Sequence, residues 1–139
     1  MRRPAPPPSL LVAAAAGGVL GALLRWGLDE LVPDGGGFPW TTFAINVSGS
    51  FLLAALPALA AVRRHPVLPV FLGTGVLGGY TTLSTYAEQG RSLLADGRTG
   101  LAAAYLVGTL LACILAVRLA HHLSSFAQQV LFEVEEGNE

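Results

Sequence analysis

The 139-residue chain is 53% hydrophobic and 12% charged, with a net charge of −1. A soluble domain carries about 25% charged residues, so this composition and a mean hydropathy of +0.58 exclude an ordinary soluble domain. The near-zero charge offers no electrostatic case for nucleic acid, and the single cysteine, Cys113, excludes a disulfide framework or a multi-cysteine metal site.

A membrane-spanning helix needs about 20 mostly apolar residues. The first stretch to meet this runs from Ser9 to Leu28, behind the proline-rich arm Pro4 to Pro8. Arg2, Arg3 and the apolar run Leu11 to Ala16 have the look of a signal peptide. The apolar stretch continues to about Leu24 and three more follow, so it reads as a retained helix. Gly17 and Gly21 form a GxxxG pair on it, a close-packing motif. Arg25, near its end, either draws anions into a vestibule or snorkels to the headgroups.

The second stretch runs from Trp40 to Val62, after the loop Asp34-Gly35-Gly36-Gly37. Thr42, Asn46 and Ser50 stand at i, i+4 and i+8 and share a face. An Asn amide offers two N–H donors, which an anion stripped of water needs. The plainer alternative is interhelical hydrogen bonding.

The third stretch, Val67 to Leu94, follows Arg63-Arg64-His65-Pro66 and is interrupted in its middle. Gly78, Gly79, Thr81, Thr82, Ser84 and Thr85 are poor helix formers. Irregular backbone survives in hydrocarbon only where it is buried in protein or lines a wet cavity. A break at mid-membrane therefore suggests an ion site, with freed carbonyls for a cation and freed N–H groups for an anion. Close packing by the glycines is the alternative.

The fourth stretch, Leu101 to Leu123, follows Asp96-Gly97-Arg98 and carries Tyr105, Thr109 and Cys113 at i, i+4 and i+8. That stripe lines a pore or forms a packing seam. The arrangement is an all-α membrane protein with four transmembrane helices, the third broken at mid-membrane. It divides into an N-terminal arm (1–8), the four-helix domain (9–123) and a polar acidic tail (124–139), frayed from Gln128. His65, His121 and His122 lie in loops or at a helix end and receive no role.

Short loops place both termini on one side. That side carries Arg2, Arg3, Arg63, Arg64 and Arg118, against Arg91, Arg98 and at most Arg25 on the other. The positive-inside rule then puts both termini in the cytoplasm, for a multi-pass protein of the inner (plasma) membrane. No nucleophile–base pair, metal-ligand cluster or ATP-binding loop is legible, so neither an enzyme nor a pump is expected.

Three segments carry a resemblance. Gly78-Gly79-Tyr80-Thr81-Thr82-Leu83-Ser84-Thr85-Tyr86 resembles the GGxTTFSTF signature of the CrcB/Fluc fluoride channels. Gly17-Gly18-Val19-Leu20-Gly21-Ala22-Leu23-Leu24-Arg25 resembles that family's GGxxGAxxR opening, and Phe38 to Phe51 resembles its second-helix motif. The resemblance implies an antiparallel dimer with one subunit inverted, two fluoride pores and a buried structural sodium ion at the interface. It implies sodium ligation by the Gly78 and Thr81 carbonyls, and a vestibule role for Arg25. It implies pore-lining roles for Thr42, Asn46, Leu83, Tyr86, Tyr105, Thr109 and Cys113. The expected function is passive export of fluoride from the cytoplasm, which reduces its toxicity.

The sequence departs from the family at two ring positions. Aromatic edges are partly positive and suit an anion, and the family's two phenylalanines are replaced here by Leu83 and Tyr86. Tyr86 keeps an edge and Leu83 has none. With the arginine bias, this raises the alternative of a half-active or non-conducting subunit paired with a homologue rather than with itself. A small-multidrug-resistance exporter is a further alternative, but it needs a membrane-embedded carboxylate that the first helix lacks.

Overall fold

The structure is a computed structural model that describes residues 6–136, and side chains as far as Ser125. Arg2, Arg3 and the last three residues of the acidic tail lie outside the described residues.

Helix α1 spans Pro8–Leu31, opening with a proline where the missing N–H costs nothing. Helix α2 spans Trp40–Ala55 and passes into a 3₁₀ turn, Leu56–Ala58, and a short helix α3, Ala60–Arg64. The second stretch is therefore not one helix to Val62. Pro57 falls at the change, where its ring and missing N–H stop the α-ladder.

The third stretch is divided three ways. A π-helix, Val70–Leu77, leads into α4, Gly78–Tyr80. The chain then extends at Thr81 and Thr82 and resumes as α5, Leu83–Ala95. The predicted interruption is present, and it lies at Thr81-Thr82. Gly97, at φ 72°, turns the chain into α6, Thr99–Glu136. Only glycine holds that left-handed conformation without a steric cost. Helix α6 continues through the polar tail to Glu136, where the sequence reading had fraying from Gln128.

Three helices among the described residues are long and apolar enough to cross a membrane: Pro8–Leu31, Trp40–Ala58 and Thr99–Ser125. Their outer faces expose Leu11, Val19, Leu23, Leu24, Leu111 and Leu115, a surface suited to lipid.

The inner contacts are built on small residues, as packing in lipid requires. A methyl group on Gly17 would run into the Phe71 carbonyl, and one on Gly21 into the Val76 carbonyl. From the opposite side, one on Gly75 would sit 2.8 Å from the Gly17 Cα. The GxxxG pair is thus a contact of backbone on backbone, holding α1 against the π-helix. A second core joins α2, α5 and α6 around Leu93, Ala102 and Tyr105, with Phe38, Phe43 and Tyr86 packed against it.

Candidate functional site

The break at Thr81-Thr82 is held by the second helix. Asn46 accepts from the Thr82 N–H at 2.8 Å and donates from Nδ2 to the Thr82 carbonyl at 3.0 Å. Both backbone groups of buried Thr82 are satisfied by a single amide, which answers the backbone problem that the break creates. Thr82 also caps α5, its Oγ1 accepting from the Thr85 N–H at 3.1 Å. The Thr81 hydroxyl donates back to the Leu77 carbonyl at 2.9 Å. Arg25 reaches the same region from α1, its Nε donating to the Gly79 carbonyl at 3.3 Å.

Beside the break lies a cavity of about 260 Å³, lined among others by Asn46, Leu83, Tyr86, Thr109 and Cys113. Five of the pore positions expected from the sequence are therefore brought together by α2, α5 and α6. Thr109 is 3% exposed, and among the described residues its Oγ1 has no hydrogen-bond partner. A buried hydroxyl without a partner is costly, and this one belongs to a residue that borders the cavity. The Tyr86 hydroxyl is already committed, donating to the Leu106 carbonyl at 2.6 Å, which leaves its ring for the cavity wall. Leu83 is 78% exposed at the rim.

Thr42 and Tyr105 do not line this cavity. They stand one helical turn before Asn46 and Thr109, in a buried polar layer that the sequence reading missed. Asp34, from the first loop, accepts from the Thr41 N–H at 2.7 Å, the Thr42 N–H at 3.1 Å and the Thr42 hydroxyl at 2.8 Å. It thereby caps α2, whose N-cap Pro39 has no side-chain acceptor. Gln89 donates to Asp34 at 3.0 Å and accepts from the Tyr105 hydroxyl at 2.7 Å. Burial pushes the Asp34 carboxyl up, but these hydrogen bonds outweigh it and hold the group below its ordinary value. A sequence signal existed for both residues. An aspartate precedes a helix that starts on Pro-Trp-Thr-Thr, and Gln89 is the polar residue at i+3 from Tyr86.

Gly78 is exposed, and among the described residues no tertiary hydrogen bond falls on the carbonyl of Gly78 or of Thr81.

A profile described as "CrcB-like protein, Camphor Resistance (CrcB)" matches residues 12–121, which includes the break, the cavity and the glycine contact. The chain belongs to the CrcB family. Among curated CrcB-type relatives, the "Fluoride-specific ion channel FluC 1" of Streptomyces coelicolor is 46% identical, over 75% of this chain and 70% of its own length. The "Fluoride-specific ion channel FluC" of Opitutus terrae is 40% identical, over 76% and 84%. That of Agrobacterium fabrum is also 40% identical, over 73% and 84%. The CrcB profile ends at residue 121, so it excludes the acidic end of α6.

Proposed function

We propose that the chain is a subunit of a fluoride-specific channel that lets the ion leave the cytoplasm passively. The observation that carries this is the cavity beside the break, a mainly apolar wall into which a few polar side chains are set. Thr109 Oγ1 is unpartnered, and Asn46 uses one of its two N–H donors on Thr82. Tyr86 adds an aromatic ring. Fluoride holds its water tightly, so only replacement donors make entry affordable. Family membership and relatives that are channels, not enzymes, support the same reading. An exporter of the small multidrug resistance type is set aside on the same ground.

The rest of the assembly belongs to the proposal. The working unit is an inverted dimer in the inner membrane, with both termini cytoplasmic. The Gly78 and Thr81 carbonyls suit a hard cation such as sodium, being oxygen donors released by the break. Two carbonyls do not fill a cation's shell, so a second subunit would supply the others. Bound there, sodium would neutralise carbonyl dipoles at the dimer centre. Arg25 acts first on the Gly79 carbonyl, and its charge contributes to the vestibule field. Leu83, exposed at the rim and without a ring quadrupole, favours one second reading, a subunit that completes a homologue's pore.

Purified chain in liposomes, read with a fluoride electrode beside a Leu83→Phe variant, separates these. Fluoride release without chloride release is expected from the wild type alone. Release only from Leu83→Phe would mean that the chain normally borrows a partner's aromatic. Silence from both would refute a channel made of this chain alone.

A further inference from the structure

The layer around Asp34 has consequences for an ion on the α2 face. Along that face Thr42, Asn46 and Ser50 recur every four residues, and Asp34 extends the line toward the loop. Asn46 and Ser50 line the inner cavity. Asp34 and Gln89 line a second cavity of about 160 Å³ at loop level, with Ser92, Asp96 and Arg98. Between the two lie Thr42, 1% exposed, and Tyr105, 0% exposed. Three side-chain donors of this layer are directed at acceptors within it. The Thr42 hydroxyl points at Asp34, Gln89 Nε2 points at Asp34, and the Tyr105 hydroxyl points at Gln89 Oε1. An anion moving between the cavities meets a carboxylate, and on the α2 and α6 sides the Thr42 and Tyr105 hydroxyls are already committed.

Resting on the channel reading above, we propose that Asp34 is a positioning residue that latches this passage. Its carboxylate holds the donors of Thr42 and Gln89, and through Gln89 that of Tyr105, away from the ion. Fluoride passes when it takes a donor from the latch, and removing the charge on Asp34 makes that exchange easier. The charged or titratable groups around the latch are Asp29 and Glu30 at the end of α1, Asp96 and Arg98 beside the loop cavity, and Tyr105 on α6. On α5, Glu88 and Arg91 neutralise each other at the exposed surface. Arg98 is already tied to the Gly36 carbonyl.

The test is fluoride efflux from liposomes across neutral to mildly acidic pH for wild type, Asp34→Asn and Gln89→Glu, each first shown to run as one peak on size exclusion. Wild-type efflux is expected to be flat over this range, because Asp34 stays ionised. Asp34→Asn keeps the shape without the charge, and its efflux is expected to be faster by about threefold or more. Gln89→Glu sets a second carboxylate against Asp34, and such a pair holds a shared proton at raised pH. Its efflux is expected to be slow at neutral pH and to recover with acid, which a merely structural role would not produce. Asp34→Asn no faster than wild type overturns the proposal, whether or not wild type conducts. If that variant fails the size-exclusion criterion, a flat Gln89→Glu profile overturns it instead. Wild-type release at any rate reports separately on the channel reading.

Discussion

Replacing Asn46 by Asp changes one atom and tests where the ion goes. The variant keeps the acceptor for the Thr82 N–H and loses the donor for the Thr82 carbonyl, setting two acceptors face to face at about 3 Å. It also puts a negative charge on the wall of the inner cavity. A sphere of 260 Å³ has a radius of about 4 Å, so an anion at the centre lies about that far from the new carboxylate. At an effective dielectric constant of about 20, repulsion at 4 Å is about 4 kcal/mol. A barrier raised by that amount slows passage about a thousandfold. In bulk water the same pair would cost only about 1 kcal/mol, or about fivefold. The assay is fluoride release from liposomes at neutral pH, with size exclusion as the check on folding. Efflux of a well-folded Asn46→Asp variant within about fivefold of wild type would refute the reasoning, since the ion would then not pass this wall desolvated.

Acid should weaken the fold through Asp34. Its folded carboxyl titrates below its ordinary value, so its contribution is complete above the ordinary value and is lost as pH falls through the folded one. The unfolding midpoint in detergent should drop below about pH 4, and Asp34→Asn should lack that component. Gly21→Ala should cost about 1–3 kcal/mol or more, because its methyl meets the Val76 carbonyl and not a side chain that can turn away. Loss of the single size-exclusion peak would show this, whereas Gly18→Ala, with open space around it, should leave the peak unchanged. A methanethiosulfonate reagent should attach to Cys113 Sγ, fill the cavity and stop efflux. A thiol reductant should restore it, and Cys113→Ser should be resistant. Unaltered efflux from fully labelled protein would place the path elsewhere.

Membrane residence and the weakness of the third helix were legible in the residues, whereas the reading of four spans stands against three helices of sufficient length and hydropathy among the described residues. Hydropathy counts bulk transfer from water, and glycines and β-branched hydroxyl residues resist helix wherever they occur. The stripe Thr42-Asn46-Ser50 and the stripe Tyr105-Thr109-Cys113 were also legible, because helical spacing alone sets which residues share a face. Spacing does not say how far along a stripe the cavity extends. Only the packing of α2, α5 and α6 decided that Asn46, Thr109 and Cys113 border the cavity while Thr42 and Tyr105 are sealed into the layer above it. Likewise, a lone Asp before a helix and a Gln at i+3 from Tyr86 suggest a cap and a face, but do not mark each other as partners. Their hydrogen bonds join residues 55 and 16 positions apart, and chain folding alone brings such groups within 3 Å. The sequence thus determined the solvent and the elements of this protein. The tertiary structure decided which donors are spent on the protein itself and which remain for an ion, because a hydrogen bond depends on distance and direction that no one-dimensional pattern contains.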